Sequence, residues 1–393
     1  MTNDLHRIRI DQVGSLAGPP VLRNALAAFD RGELGTEAIV RLQDEAIAAS
    51  IRRQEAIGLP VVSDGEYRRR NFQESFAAAV SGFDAPAQVT TKDDLAIDRA
   101  PLTRAEQNFQ ARGPAILTRR PVLAKLRLER NVALEEYRLA SAVATQPVKA
   151  TILSADRISQ RFAWEDSRAV YPDMDAFMAD VVAIERTMIR ALVEAGCRYI
   201  QIDAPGYTAY ADAVSLERMR ARGEDPKVNL ARSIAADNAV IDGFEGVTFG
   251  IHFCRGNPRT IDPKTGKIVG QWHREGHYDP IAEQIFGELK HHRLLLEYDT
   301  ERSGGFEPLR FVTKEKVAVL GLVTTKDAAV ESSEVLERRI GEAAHHLPLE
   351  QLALSPQCGF GGVDPLHPTL TEDEQWLKFE RIVAVAREVW RDA

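Results

Sequence analysis

Three pieces of this chain, distant in sequence, carry side chains able to hold a borderline-soft metal ion. They are His252-Phe253-Cys254, Glu297 directly after Leu294, Leu295 and Leu296, and Cys358 in Ser355-Pro356-Gln357-Cys358-Gly359. Imidazole plus thiolate favours zinc over magnesium or calcium, whose hard ions prefer oxygen. A His-x-Cys pair leaving a bent strand end can turn both side chains toward one centre. Taken singly, each residue also reads as plain structure: cysteines are common in cores, and His252 could be a hydrogen-bonded strand histidine. Glu297 is harder to dismiss, because an unpaired carboxylate at the end of an apolar strand costs several kcal/mol. Cys197, between Gly196 and Arg198, is expected to be core packing.

The charge of such a site selects its chemistry. Zinc brings +2 and two thiolates with one carboxylate bring −3, so the centre is net negative before any substrate arrives. Hydrolytic zinc sites favour neutral histidines and keep a position for water. An electron-rich centre suits a different task. Glu297, the weakest ligand, loosens as a substrate thiol binds, and a zinc-bound thiolate then attacks an electrophilic carbon. The expected reaction is alkyl transfer to sulfur.

Elements must bring these residues together. Short apolar runs at 8–13, 60–63, 148–153, 199–202, 248–252, 293–297, 317–323 and 352–354 alternate with amphipathic stretches at 37–57, 173–195, 230–243, 281–291, 333–346 and 372–391. Eight such strands, alternating with helices, predict an α/β fold, a (β/α)8 TIM barrel, as a single domain over 1–393. Ser15, Glu66, Asp203, Cys254, Glu297, Lys326 and Cys358 all fall just at or after the C-terminal ends of these runs, where barrel enzymes gather their reactive groups. Two long insertions are expected, at about 67–146 and 257–279. The first either covers part of the mouth or makes a subunit contact, which would imply a homo-oligomer. The second contains Pro263-Lys264-Thr265-Gly266, a turn sequence suited to a hairpin, followed by Trp272, His273 and His277. That hairpin is read equally as a lid over the mouth or as a packing surface.

Composition narrows the class. The 393 residues are 44% hydrophobic, enough to bury one large core, and the net charge of −8 argues against a surface built to neutralise nucleic-acid phosphates. Met1 to Ile10 carries no signal-length apolar run and no later stretch reaches bilayer length, so no membrane association and a cytoplasmic location are expected. Three cysteines leave no disulfide framework to expect.

The motifs resemble the cobalamin-independent methionine synthase family, especially its short members that comprise the catalytic barrel alone. Val13-Gly14-Ser15, the 54–66 segment ending Ser63-Asp64-Gly65-Glu66, Tyr199-Ile200-Gln201-Ile202-Asp203, His252-Phe253-Cys254-Arg255-Gly256-Asn257, Gly321-Leu322-Val323 and Leu354-Ser355-Pro356-Gln357-Cys358-Gly359-Phe360 carry the resemblance across nearly the whole chain. It implies that His252, Cys254, Glu297 and Cys358 bind Zn2+, and that Ser15, Glu66 and Asp203 hold the amino acid part of homocysteine. Carboxylates suit an ammonium group, and a hydroxyl suits a carboxylate. The same residues also fit simpler roles: Asp64-Gly65 and Asp203-Ala204-Pro205-Gly206 have turn chemistry, and Glu66 could pair with Arg68, Arg69 or Arg70.

Two departures from the family pattern bear on the methyl donor. Long members have a histidine after the seventh strand that protonates the folate leaving group; here the segment reads Gly321-Leu322-Val323-Thr324-Thr325-Lys326. The Thr-Gly-Pro segment typical after the third strand is replaced by Ser154-Ala155-Asp156. A poor leaving amine needs a proton donor, for which Lys326, His273 and His277 are the candidates. Methyltetrahydrofolate, methylcobalamin and epoxides therefore all stand as donors. The expected function is zinc-dependent methyl transfer to homocysteine. Alternatives are alkyl transfer to another thiol, as in epoxyalkane:coenzyme M transferase, a zinc-stabilised binding protein without turnover, and a metal-free barrel resembling uroporphyrinogen decarboxylase.

Overall fold

The computed structural model describes residues 4–69, 72–83, 119–256, 260–261, 268–270, 274–362 and 368–391. Its centre is a six-stranded parallel sheet. In chain order the strands are β1 (Val80–Phe83), β2 (Val122–Leu128), β3 (Lys149–Leu153), β4 (Tyr199–Asp203), β5 (Thr248–Phe253), β6 (Thr260–Ile261), β7 (Ile268–Gly270), β8 (Arg293–Glu297), β9 (Val317–Val323) and β10 (Leu352–Pro356). The central sheet runs β10-β9-β8-β5-β4-β3, while β1 with β2 and β6 with β7 form separate antiparallel pairs. Six of the eight expected strands are thus ladder strands in the expected order.

The other two expected strands, 8–13 and 60–63, appear as single parallel bridges, Ile10 with Leu354 and Val62 with Val148. They extend the series at both ends of the sheet. Their ladders are short because side chains take over the backbone groups. The Gln12 amide donates to the Val61 carbonyl at 3.1 Å. Gln54, wholly buried on the helix Thr36–Ile57, accepts from Ser63 N–H and donates to the Ser63 carbonyl, both at 2.9 Å. Backbone groups buried this way are satisfied without a neighbouring strand. Ser63 Oγ also donates to the Gly14 carbonyl at 2.7 Å, so side chains link the first segment to the second.

Helices separate successive strands. Met174–Glu194 starts at Asp173, whose carboxylate accepts from Ala176 N–H, and buries Phe177, Met178, Val181, Ile184, Met188, Ile189 and Leu192 on one stripe. Thr36–Ile57 ends at Gly58 with φ 95°, and Glu372–Val389 opens with a capping box between Thr371 and Glu374. The expected helix at 281–291 is shorter, Ala282–Gly287. Pro20–Asp30 and Val132–Ser141 are helices that the periodicity had not singled out. Both expected insertions contain an antiparallel strand pair, β1 with β2 and β6 with β7, while the expected turn Pro263-Lys264-Thr265-Gly266 lies outside the described residues.

Alternation along the strands divides the molecule. Ile200 and Ile202, Ile251 and Phe253, Leu294 and Leu296, and Leu320 and Leu322 join the large apolar core. The opposite face carries Lys149 and Thr151, then Tyr199, Gln201 and Asp203, then Gly250 and His252, then Arg293, Leu295 and Glu297. A small cluster of Val13, Leu295, Val317, Val319 and Ala353 fills part of that second face. A Cβ at Gly250 would lie 3.1 Å from both Leu295 Cδ1 and Tyr199 Oη, so that position leaves room for larger neighbours on the same face. Among the described residues, no helix is long and apolar enough to cross a membrane.

Candidate metal and substrate site

His252 lies on β5 with its side chain on the polar face, Phe253 turns into the core, and Cys254 follows on the His252 side. The carbonyl of Cys254 is fixed by the Thr208 hydroxyl at 2.8 Å. Cys358 comes from the turn after β10, and Gln357 holds that turn: its N–H donates to the Val323 carbonyl at 2.8 Å, and its Oε1 accepts from Thr325 N–H and Oγ1 at 3.0 and 2.8 Å. The backbones approach closely at Gly321, where a Cβ would lie 2.7 Å from Gln357 Cα and 2.7 Å from the Leu296 carbonyl oxygen. Only glycine permits that approach.

One ligand atom each from His252, Cys254 and Cys358 lie within 4.8 Å of one another. These three could hold a metal ion, and the donor chemistry fits. His252 is buried with neither ring nitrogen hydrogen-bonded, an arrangement costly for an imidazole without a ligand. Contact with Cys358 and the nearby His252 ring hold the Cys254 thiol well below its ordinary range, while the Cys254 charge and burial push Cys358 well above it. The downward shift at Cys254 is the direction a zinc ligand requires, since the thiolate is the form that binds metal. Cys197 lies apart from this group, wholly buried, with Sγ 3.3 Å from the Tyr199 carbonyl and its pKa pushed up to about 11 by burial. That is core packing, as expected.

Glu297 ends β8 with 0% exposure and is charged. Burial opposes its ionisation, but Arg302, Lys326 and Arg255 hold its pKa at about 2. Oε2 accepts from Arg255 N–H at 2.6 Å, and Oε1 accepts from Arg302 Nε and Nη2 at 2.9 and 2.5 Å. Its charge acts on His252, Cys254 and Cys358, which places it beside the three-ligand group. Lys326 is buried, ion-paired to Asp299, and 3.5 Å from Glu297 Oε1. His277 is exposed, outside the metal group, with its ring against Gly304. Trp272 and His273 lie outside the described residues.

A second polar group adjoins the first. Glu66 has φ 58°, a left-handed conformation that strains a non-glycine residue, and its N–H donates to Asp64 Oδ1 at 3.0 Å. Its Oε1 accepts from Thr151 Oγ1 at 2.8 Å and lies 3.4 Å from Arg69 Nη1. Arg69 is thus a partner of Glu66, although it pairs more closely with Glu136, at 2.6 Å, and Arg70 lies outside the described residues. Asp203 ends β4, also buried. Burial first and Glu66 second push its pKa up to about 7. Two buried carboxylates that repel one another favour a cation between them. Ser15 Oγ stands over Gly359, where a Cβ would lie 1.9 Å from it, and the Ser15 carbonyl accepts from Phe360 N–H at 2.9 Å. Ser15 therefore sits on the turn that carries Cys358. Ser15, Glu66 and Arg69 line an open cleft of about 430 Å³ together with Leu22, Tyr67 and Phe72.

Several participants had no signature of their own in the sequence. Arg255 and Arg302 grip Glu297 from the turn after β5 and from the 301–303 turn, and no spacing announces that convergence. Arg274 donates to the Pro205 carbonyl and, at 3.4 Å, to Thr208, the residue that fixes Cys254. Gln201 was visible as one amide between two isoleucines, a polar residue in an apolar strand.

The family model described as cobalamin-independent synthase, catalytic domain, matches residues 10–254, from the first strand segment to Cys254. The uncharacterized protein YxjH of Bacillus subtilis (strain 168) is 32% identical over 392 residues, covering 98% of this chain and 95% of the relative. Methionine synthase of Pyrococcus abyssi is 22% identical over 355 residues, covering 90% and 86%. The structure of a B12-independent methionine synthase from Shewanella sp. W3-18-1 in complex with selenomethionine has a TM-score of 0.68 at 17% identity, covers 98% of each chain, and shows a shared fold.

Proposed function

Because this chain belongs to the cobalamin-independent methionine synthase family, we propose that it is a zinc-dependent S-methyltransferase that makes methionine from homocysteine on a single (β/α)8 barrel over 1–393, interrupted by the two insertions. The observation that carries the reading is the juxtaposition of a His252–Cys254–Cys358 group with two mutually repelling buried carboxylates, Glu66 and Asp203. The bridges at Ile10 and Val62, with the side-chain bonds between their segments, support closure of the sheet. Selenomethionine in the Shewanella relative, a close analogue of methionine, is in keeping with an amino acid product.

His252, Cys254 and Cys358 would hold the zinc, with Glu297 as the fourth ligand. Zinc, when bound, supplies the positive charge that keeps an acceptor thiol nucleophilic near neutral pH. The chain's own groups do the rest. Glu66 and Asp203 accept from the ammonium of homocysteine, and the Ser15 hydroxyl donates to its carboxylate, which aims the sulfur at the metal group. Arg255, Arg302 and Lys326 hold Glu297 ionised and offer it an alternative set of partners as the acceptor binds. The sulfur–methyl bond forms as the bond between the methyl carbon and the donor breaks, the electron pair leaving with the donor. Lys326 is committed to Asp299 and Glu297, so His277 is the described residue free to move a proton to a leaving group that needs one.

An acceptor without an amino group would leave Glu66 and Asp203 without their cation, which favours homocysteine over coenzyme M. The deciding experiment crosses homocysteine, coenzyme M and glutathione with methyltetrahydrofolate, methylcobalamin and an epoxide, and reads product mass. Methionine from one of the two methyl donors is expected. Alkylation of coenzyme M alone would overturn the homocysteine assignment.

A further inference from the structure

Beneath the candidate site lies a cluster of charges with no contact to the metal group. Asp11 Oδ1 is 2.9 Å from Lys149 Nζ and Asp11 Oδ2 is 2.9 Å from Arg293 Nε, with all three side chains 0% exposed. The Tyr199 hydroxyl donates to Asp11 Oδ2 at 2.5 Å. Lys149 also donates to the Gln12 carbonyl. Two cations against one anion leave this enclosed cluster net positive, an expensive arrangement that a purely structural core would replace with apolar side chains at little cost.

The cluster has one outlet toward the substrate groups. Lys149 Nζ donates to Gln201 Oε1 at 2.7 Å, and Gln201 Nε2 donates to Asp203 Oδ1 at 2.7 Å and to the Val13 carbonyl at 2.5 Å. Tyr199, Gln201 and Asp203 alternate along β4 and so share one face. An ammonium has donors only, so Lys149 fixes which end of the Gln201 amide it meets. The amide nitrogen then has to face Asp203 and Val13, both acceptors. Asp203 Oδ1 is thereby held in place.

We propose that Gln201 is a positioning residue that transmits the Asp11–Lys149–Arg293 cluster to Asp203 and thereby sets affinity for the amino group of the acceptor thiol. This rests on the reading of Asp203 as a partner of the homocysteine ammonium. The role is selective. It acts on recognition of the amino group and leaves the metal group and the methyl donor untouched.

The test compares homocysteine with 4-mercaptobutanoate, the same thiol acid without the amino group, in wild type, Gln201→Met and Gln201→Glu. Gln201→Met keeps the length and removes both hydrogen-bonding ends; Gln201→Glu keeps the acceptor for Lys149, removes the donor to Asp203 and sets a repelling carboxylate against Asp203 Oδ1 in its place. Loss of a hydrogen bond to a charged group predicts a KM for homocysteine raised roughly tenfold or more in both variants. KM for 4-mercaptobutanoate, KM for the methyl donor, kcat and zinc content should stay within about twofold of wild type, since none of these involves the bond removed. Equal loss with both thiols would mean a merely structural role and would overturn the proposal, as would wild-type discrimination in Gln201→Glu. Should Gln201→Met fail to fold, Gln201→Glu decides alone. A wild type that makes no methionine with any donor sinks the function and this inference together, whereas an active wild type with unaltered variants sinks the inference only.

Discussion

At the scale of single residues, the proposed site divides into a soft centre and a hard clamp, and the two should fail in different ways. Cys254→Ser or Cys358→Ser replaces a thiolate by a poor zinc ligand. Metal content should fall well below one zinc per chain, and turnover by more than the roughly 10–100-fold that loss of an outer-shell partner costs. Either variant keeping full zinc and activity would contradict the site. Asp203→Asn keeps shape and removes charge from a buried carboxylate. KM for homocysteine should rise about tenfold or more while zinc content holds, because a charge-assisted bond is lost at the clamp alone. An unchanged KM would reject the clamp. Sequence reading singled out His252, Cys254, Cys358 and Glu297 because their types stand out at strand ends, and the structure groups the first three. The grip of Arg302 and Arg255 on Glu297 was not legible, since arginines are common and their partner is set by where three separate turns meet.

At the scale of elements, the metal group depends on how tightly β9 packs against the turn that bears Cys358. Gly321→Ala would set a Cβ 2.7 Å from Gln357 Cα and from the Leu296 carbonyl, both backbone and unable to yield cheaply. A destabilisation of about 1–3 kcal/mol is expected from such overpacking, together with reduced zinc retention. Urea unfolding and metal analysis measure the two effects; unaltered values for both would show that the turn has slack. The ladder strands β3, β4, β5, β8, β9 and β10 and the long helices follow the hydrophobic periods of the sequence closely. The periods also marked 8–13 and 60–63 as strands, yet these pair through one bridge each, because Lys149 and Gln201 bind the carbonyls of Gln12 and Val13, and Gln12 and Gln54 bind the backbone of Val61 and Ser63, from the side. Periodicity reports burial, and burial alone does not say whether a neighbour strand or an amide supplies the hydrogen bonds.

At the scale of the whole molecule, buried charge ties stability to pH. His291 is wholly buried with neither ring nitrogen hydrogen-bonded, and burial followed by the neighbouring His292 and Lys316 lowers its pKa from 6.5 to about 3. The unfolded chain binds that proton first. Its contribution is therefore complete above pH 6.5 and is lost at about 1.4 kcal/mol per pH unit as pH falls toward 3. His291→Leu should flatten the fall in unfolding free energy between pH 6 and pH 4, and an unchanged slope would place the effect elsewhere. Asp11 acts lower on the scale: burial opposes its ionisation, yet Lys149 and Arg293 hold it below its ordinary value of 3.8, so its support persists until pH drops beneath that value. Asp11→Leu leaves two cations enclosed without an anion, and should cost about 3–5 kcal/mol at neutral pH by chemical denaturation.

The sequence by itself determined the alternation of strands and helices, the residue types able to bind zinc, and the strand ends that carry them, because these follow from local periods and donor chemistry. Only the tertiary structure decided that His252, Cys254 and Cys358 meet, that three cations lock Glu297, and that Gln201 joins a buried ion cluster to Asp203. The reason is strand register. Period-two alternation fixes which residues share a face, but parallel pairing of strands drawn from across the chain sets which of those faces adjoin, and the chain sequence writes that pairing nowhere in a local pattern.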